Sequence, residues 1–242
     1  MIANANWQSV ADRLFPQGHA IVESDCFLSG TASVDGQTIT VVGTSSHIAI
    51  GVEIAMAQAS AVLDTVRLHP GRPILILVDT QGQRLRHRDE MLGINRYMAH
   101  LGKCIELARL RGHHVIALVY DQALSGGFIT SGLMADACYA LPDASIRVMG
   151  LPAMARITKV PEPRLTELAK SNPVFAPGAE NYLVMGGLEG IWNGDLAARL
   201  RAALAAPDHR DRRSERGLQR GGRQLAAPVA QAVADDADFP PA

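Results

Sequence analysis

Two uninterrupted aliphatic runs constrain the fold of this chain more than any other feature of its sequence. They are PILILVD at residues 73–79 and VIALV at residues 115–119. A strand that is apolar at consecutive positions must be covered on both faces, as happens in a parallel sheet flanked by helices. Both runs are therefore predicted to be central strands of such a sheet.

The segment between the two runs has the periodicity of an amphipathic helix. Its apolar stripe is Met91, Ile94, Met98, Leu101, Ile105 and Ala108, and it ends at Arg111 and Gly112. A strand, a helix and a second strand form a βαβ unit, whose crossover is right-handed in nearly all proteins. The two strands are then parallel, and the loops that follow them meet at one edge of the sheet. We expect the chemistry of the chain at these two loops.

The segment before the first run fits the same α/β architecture. Short β-prone runs alternate with turn signals at the start of the chain, and Asp35-Gly36 predicts a hairpin turn. A helix is predicted from Gly51 to the breakers at Pro70 and Gly71. Its core face is predicted to carry Val52, Ala55, Met56, Ala59, Val62, Leu63 and Val66, and its outer face Glu53, Gln58, Asp64 and Arg67.

Glycines mark both loops at the carboxyl edge of the predicted sheet. The loop at residues 79–84 contains Gly82, and the loop at residues 121–128 contains Gly126 and Gly127 before a short helix. Glycines at a strand-to-helix junction permit positive φ and leave backbone N–H groups uncovered. Such amides can form an oxyanion hole, which predicts a catalytic role for the three glycines. The alternative is that they only allow close packing of the helix on the sheet.

The composition excludes several other classes of protein. Hydrophobic residues make up 48% and charged residues 19% of the 242 residues, as in ordinary globular domains. The formal net charge of −1 provides no global attraction to nucleic acid or to an anionic membrane. The amino terminus lacks a cationic start followed by an apolar stretch, and no apolar run approaches the roughly 18 residues of a spanning helix. A cytoplasmic location is therefore expected.

Cysteine and histidine spacing predicts no metal or redox motif. Cys26, Cys104 and Cys138 are an odd number with no closely spaced pair, so they are expected to be reduced core residues. The eight histidines are scattered, and no metal-ligand cluster is predicted from them.

Longer segments around the two loops resemble known enzymes. The pattern of a strand, Asp-Thr-x-Gly, a helix, a strand and Ser-Gly-Gly resembles the carboxyltransferase subunits of acyl-CoA carboxylases. The similarity is closer to the gamma subunit of biotin-independent malonate decarboxylase, through DTQGQRLRHRDEMLGINRYMAHLG, YDQALSGGFITSGLMADACYALPDASIRVM and SNPVFAPGAENY. It covers roughly residues 40–200 and is specific at 78–102 and 120–150.

The resemblance implies an α/β fold of the crotonase-like (ClpP/crotonase) type, a superhelix of repeated βαβ units. It also implies a beta subunit of the same fold as partner, with the active site between the two subunits. The pair would decarboxylate malonyl-S-acyl carrier protein to acetyl-S-acyl carrier protein in malonate catabolism. The thioester would be carried on the CoA-derived prosthetic group of the carrier protein, with no biotin and no cofactor bound by this chain.

Polar residues near the glycines are candidates for substrate binding. Gln81 and Ser125 lie within the two loops, and Arg84 and Arg156 offer bidentate bonds to a carboxylate or a phosphate. The same two arginines, together with Arg86, His87, Arg88 and Lys159, are more simply explained as a solvated face, and attraction of a carboxylate or a phosphate is the functional alternative. Asn95 is another possible donor near this edge.

Ser125 has two further interpretations. It could be a nucleophile with His113 or His114 as base and Asp121 as orienting group. The surrounding ALSGGF lacks the Gly-x-Ser-x-Gly elbow, so capping of the following helix is the favoured role. Both histidines lie at the amino end of their strand, where structural roles are expected.

The sequence changes character after Pro207. We predict a crotonase/carboxyltransferase-like domain at residues 1–206 and a peripheral C-terminal helix and frayed tail at residues 207–242. DHRDRRSERGLQRGGR contains six arginines against three acids, so docking of an acidic carrier protein there is a further possibility.

Two other functions remain open at this point. The chain could be a non-catalytic scaffold of the same complex, in which the partner does all the chemistry. It could also be a free-standing crotonase-like hydratase or hydrolase, although no usable glutamate pair is evident in the loops.

Overall fold

The computed structural model describes residues 6–171, 178–222 and 224–235. Its strands are β1 (Val22–Ser24), β2 (Phe27–Val34), β3 (Gln37–Thr44), β4 (Ile48–Ile50), β5 (Ile74–Gln83), β6 (Val115–Leu124), β7 (Ala137–Ala140), β8 (Ser145–Arg147) and β9 (Gly190–Ile191). Its helices are α1 (Trp7–Leu14), α2 (Val52–Leu68), α3 (His87–Met91), α4 (Ile94–Leu110), α5 (Ser125–Ile129), α6 (Leu151–Thr158), α7 (Glu162–Ser171), α8 (Ala179–Val184), α9 (Leu196–Leu204), α10 (Arg213–Gln219) and α11 (Ala226–Ala234).

The strands form one mixed sheet in the order β1-β2-β3-β5-β6-β7-β9, with β4 paired to β5 and β8 to β6. The first three strands are antiparallel, and the strands from β3 onward pair in parallel. Asp35 and Gly36 have φ of 49° and 82° between β2 and β3, which confirms the predicted hairpin turn.

The two aliphatic runs are the central strands of this sheet, as predicted. Alternate side chains of β5 enter two separate cores: Ile76 and Val78 pack with α2 and α4 on one face, and Leu75 and Leu77 pack with α1 and α9 on the other. Since each face buries its own apolar layer, an uninterrupted aliphatic strand is required here.

The predicted helices are present, with corrections to their faces. Five members of the α4 stripe are buried, whereas Met91 ends the separate helix α3 and is 75% exposed. In α2, Met56 is exposed and Gln58 is buried, the reverse of the prediction. Gln58 is 2% exposed, and its Nε2 atom has no hydrogen-bond partner among the described residues, so polarity alone does not assign it to a face.

Both central strands continue beyond the predicted boundaries. β5 runs to Gln83 and β6 to Leu124, so most of the two expected loops is strand. The cause is extra pairing partners, because β4 pairs with Thr80 and Gln83, and β8 pairs with residues 122–124. The helix after the second strand begins at Ser125, earlier than expected, and is followed by a 3-10 turn at Gly132–Met134.

The C-terminal segment forms two helices rather than the predicted one. Arg220 donates hydrogen bonds to the carbonyls of Leu183, Leu188 and Glu189. Arg213 donates to the carbonyl of Leu133. These bonds attach α10 to the rest of the molecule, while the expected frayed end lies outside the described residues from 236 onward. The domain boundary at 206/207 stays a prediction.

Cys104 and Cys138 are buried, as expected of core residues, whereas Cys26 is only half-buried. Burial raises the pKa of Cys104, and it raises the pKa of Cys138 to about 12, so neither forms a thiolate readily. Among the described helices, none has both the length and the apolar character needed to cross a bilayer.

Candidate functional site

The three glycines predicted to be catalytic meet at a junction between the ends of β5 and β6. Gly82 has a φ of 98°, which favours glycine. A Cβ at Gly127 would lie 2.9 Å from the Cα and the carbonyl carbon of Gly82. A Cβ at Gly126 would lie 2.5 Å from Oε1 of Gln83. We call Gly82, Gly126 and Gly127 the glycine junction.

The N–H groups at this junction are not equivalent. The amide of Gly82 donates to Oγ1 of Thr80 at 3.0 Å, so it is already paired within the strand. This corrects the prediction that Gly82 supplies an oxyanion donor; it allows close contact between two backbones instead. Gly126 and Gly127 are in the first turn of α5, where the helix itself offers no acceptor for an N–H.

Ser125 adopts a left-handed conformation with φ of 49°, whereas Gly126 and Gly127 do not have positive φ. The positive φ predicted for the glycines is therefore found at Ser125. A positive φ is uncommon for residues other than glycine, and it occurs at strained functional sites. Its hydroxyl donates to the carbonyl of Val148 and does not cap α5, which corrects the predicted cap.

The triad that would make Ser125 a nucleophile is not assembled. His113 and His114 precede β6 and Ser125 follows it, and a strand of 10 residues spans about 33 Å. Both histidines are buried, and Nδ1 of His113 contacts the carbonyl of Arg72 at 2.9 Å. Their position and burial fit the predicted structural roles.

The other candidate residues are spread around the junction. The side chain of Gln81 is exposed next to Gly82, and Arg84 is half-buried against the start of α2, with its guanidinium near Gly51. Arg156 is exposed on α6, apart from the glycine junction in sequence and element. Residues 172–177 belong to SNPVFAPGAENY, one of the segments that carry the family resemblance, and they lie outside the described residues.

Two arginines of the basic run are held by carboxylates. Arg86 Nε donates to Asp89 at 2.7 Å, and the Val52 amide also donates to this carboxylate. Burial alone would raise the pKa of the Asp89 carboxyl, but the two hydrogen bonds and the nearby arginine charges hold it below its usual range. Arg88 pairs with Glu53 across to α2. The Arg86 and Arg88 side chains remain about half exposed, as a solvated face requires, and the Arg88–Glu53 pair connects α3 to α2. Both arginines border a cavity of about 300 Å³ together with Arg84.

The sequence analysis missed a second polar cluster at this sheet edge. Val78 pairs with Val119 but Thr80 pairs with Ala123, so residues 120–122 bulge opposite Asp79. The bulge brings Asp121 towards Asp79, and the loop before β4 adds His47. The His47 Nε2 atom lies 3.1 Å from Asp121 Oδ2 and 3.4 Å from Asp79 Oδ1. No sequence spacing signals this cluster, because its members come from three separate segments.

Burial and charge perturb the groups around the cluster. Burial raises the pKa of Asp79, and the nearby Asp121 carboxylate raises it further against the backbone amides that lower it. Burial likewise raises the pKa of Tyr120, whose hydroxyl donates to the Thr44 carbonyl at 2.8 Å.

Comparisons with solved structures identify the fold. The Pseudomonas malonate decarboxylase hetero-tetramer in complex with coenzyme A has a chain that superimposes with a TM-score of 0.77 at 24% identity, covering 94% of this chain and 97% of that one. Transcarboxylase 12S superimposes with a TM-score of 0.70 at 20% identity, covering 84% of this chain and 41% of that one. The predicted crotonase-like carboxyltransferase fold is confirmed.

Sequence comparison identifies the family. The malonyl-S-ACP:biotin-protein carboxyltransferase of Malonomonas rubra is 33% identical over 180 residues, and the match covers 66% of this chain and 62% of that protein. The chain thus spans less than two thirds of the length of this relative. The profile of the malonate decarboxylase gamma subunit matches residues 45–237, which include the glycine junction and the polar cluster. The chain therefore belongs to the malonate decarboxylase gamma subunit family.

Proposed function

We propose that this chain works as the gamma subunit of a malonate decarboxylase that converts a malonyl thioester to an acetyl thioester without biotin. The observation that carries the proposal is the glycine junction, which lies inside the region matched by the family profile. When carbon dioxide leaves a malonyl thioester, the electron pair of the broken C–C bond moves onto the thioester oxygen, and the enolate carbon then takes a proton from water to give the acetyl thioester. Donors that face this oxygen lower the barrier.

We assign this role to the amides of Gly126 and Gly127. Their carbonyls already accept hydrogen bonds: Gly126 from the amide and hydroxyl of Thr130, and Gly127 from the hydroxyl of Ser131 at 2.6 Å. The Gly126 carbonyl shares a peptide plane with the Gly127 N–H, so the bonds from Thr130 fix the orientation of that N–H. Such a fixed donor contributes about 2.7 to 4 kcal/mol of transition-state stabilisation.

The remaining candidates are assigned to binding. Arg86 and Arg88 are engaged by carboxylates, so we assign Arg84 to the malonyl carboxylate or to a phosphate of the carrier's CoA-derived arm. Gln81 and Ser125 border Gly82 and would contact the thioester, and Arg156 would approach from α6. The acyl carrier protein is the proposed source of the thioester.

We propose the beta subunit as the obligate partner at this edge. Large apolar side chains are exposed around the junction: Leu85 is 82%, Ile129 48% and Val148 52% exposed. Apolar groups grouped at one site are typical of a surface that is covered in an assembly.

The Leu85→Asp substitution is expected to weaken binding of the beta subunit by at least about tenfold, because it places a charge in an apolar contact. Titration calorimetry with the purified beta subunit measures this change. Leu110→Asp is the matched control, because Leu110 is 74% exposed at the far end of α4 and should not affect the affinity. If Leu85→Asp and Leu110→Asp change the affinity for the beta subunit equally, the surface around Leu85 is not part of the interface.

One observation favours a second candidate function. The Malonomonas rubra relative is described as transferring a carboxyl group to a biotin protein. The same glycine junction could serve that reaction, since both begin by breaking the same C–C bond. The two functions differ in the acceptor of the carboxyl group.

Decarboxylation by the co-purified complex is expected to continue unchanged when avidin is present. The assay is formation of acetyl thioester from malonyl thioester by the complex of this chain, the beta subunit and the carrier protein. Loss of turnover with avidin supports the carboxyltransferase function. Full turnover by this chain alone would instead support a free-standing enzyme.

A further inference from the structure

The cluster of His47, Asp79 and Asp121 has the geometry of a metal site. Its three ligand atoms lie within 4.8 Å of one another. Zinc bonds of about 2.0 to 2.2 Å in a tetrahedron place neighbouring ligand atoms roughly 3.3 to 3.5 Å apart. The two distances from His47 Nε2 to the carboxylates, 3.1 Å and 3.4 Å, are near that separation.

The imidazole is not explained by hydrogen bonding. Nε2 of His47 is buried, and it has no hydrogen-bond partner in the part of the chain that the structure describes. Neither carboxylate contact therefore has the geometry of a hydrogen bond, although both are short. An imidazole nitrogen close to two carboxylate oxygens is a set of donor atoms that a cation placed among them can share.

The carboxylate that would anchor the ion is held by its surroundings. Asp79 is 2% exposed, and its Oδ2 accepts a hydrogen bond from the amide of His47 at 2.9 Å, while Oδ1 accepts from the amide of Gln122 at 3.3 Å. These bonds orient the carboxylate and couple the loop before β4 to the bulge in β6. Such outer contacts are typical of metal ligands.

The cluster also opens into a cavity that leaves room for a fourth ligand. The cavity has a volume of about 360 Å³, and its other walls are Asn6, Trp7, Ser45, Ser46 and Tyr120. Trp7 and Tyr120 belong to the core on the α1 and α9 face of the sheet, whereas Phe128 of α5 belongs to the core on the other face. The cavity and α5 therefore lie on opposite faces.

We propose that His47 Nε2, Asp79 Oδ1 and Asp121 Oδ2 bind one divalent transition-metal ion of zinc-like preference, with its fourth position open to the cavity. The imidazole ligand selects against Mg²⁺, which prefers oxygen ligands only. This site is additional to the proposed decarboxylase chemistry and does not depend on it.

Zinc binding to the full-length chain in its co-purified complex tests the proposal. After removal of metals by a chelator, titration calorimetry is expected to detect one Zn²⁺ per copy of this chain, and Mg²⁺ is expected to bind at least about tenfold more weakly. Titration with Co²⁺ should give the visible absorption of a tetrahedral ion. If the wild-type complex lacks both the zinc stoichiometry and this absorption, the proposal is wrong.

Variants assign the site to these residues. His47→Gln and Asp121→Asn are each expected to weaken Zn²⁺ binding by at least about tenfold, while His69→Gln, which alters an exposed histidine outside the cluster, leaves it unchanged. Asp79 is not substituted, because its carboxylate also holds two backbone amides. Circular dichroism checks that each variant is folded.

Binding that is unaffected by both substitutions would place the zinc elsewhere. If the substitutions lower the thermal stability by the same amount with and without zinc, the cluster is an ion pair and not a metal site.

Discussion

Replacing Gly127 by valine is expected to lower malonyl-thioester turnover by about a hundredfold to a thousandfold while the complex stays assembled. A Cβ at this position would lie 2.9 Å from two backbone atoms of Gly82, so the two chain segments must move apart. That movement shifts the amides of α5 from the position at which they would face the thioester oxygen. The measurements are turnover and elution of the intact complex.

Two matched variants test whether displacement of the α5 amides causes the loss of turnover. Alanine at Gly126 would contact only Oε1 of Gln83, the end of a flexible side chain, so turnover should change little. Ser125→Ala should raise the KM at most and keep most of the turnover at saturating substrate, since the Ser125 hydroxyl donates to the Val148 carbonyl rather than to a histidine. A dead Ser125→Ala complex would revive the nucleophile hypothesis.

The scaffold function makes the opposite prediction for Gly127. A glycine with a purely structural role would also pack closely on Gly82, so the packing of Gly127 does not distinguish the two functions. If the chain only supports its partner, turnover should fall in proportion to lost assembly. A Gly127→Val complex that is intact and fully active would exclude the amide role, and one that is intact and inactive would exclude the scaffold.

The central fold could be predicted because its signals are local. The aliphatic runs of β5 and β6 and the stripe of α4 each depend on side-chain spacing within one segment. The strand ends could not be predicted in this way. Residues 79–83 have weak β propensity, and they extend β5 because β4 pairs with Thr80 and Gln83 and because Ala123 of β6 pairs with Thr80.

Sequence analysis predicted that the glycines of the two loops meet at one edge of the sheet, whereas their catalytic role stays a prediction. Sequence spacing brought Gly82 to Gly126 and Gly127, as the structure confirms, yet it gave no sign that Thr80 binds the Gly82 amide. The left-handed conformation also falls on Ser125, because the turn from β6 into α5 is set by the contacts with Gly82 and Val148 rather than by local propensity. Tertiary contacts decide such features.

Replacing Asp136 by alanine is expected to lower the stability of the folded chain by about 3 to 5 kcal/mol. The Asp136 carboxylate is fully buried and accepts hydrogen bonds from Arg109 Nε at 2.7 Å and from the Val115 amide at 2.8 Å. It also lies 3.0 Å from Nδ1 of His209, so it links β6, α4 and the C-terminal segment.

The large effect follows from what the substitution leaves behind. The Arg109 side chain is only 11% exposed, so without Asp136 its charge keeps a single carboxylate partner, Glu106, and the Val115 amide is unpaired. A chain of this size loses about 2 to 4 °C of melting temperature per kcal/mol, so thermal denaturation should shift by roughly 6 to 20 °C. Asp143→Ala is the matched control, because Asp143 is exposed and its loss should change stability by about 0.5 kcal/mol or less. Asp136→Asn, which keeps the shape but not the charge, should fall between the two. A melting temperature for Asp136→Ala equal to that of Asp143→Ala would mean that solvent or a neighbouring acid replaces the lost carboxylate at no cost.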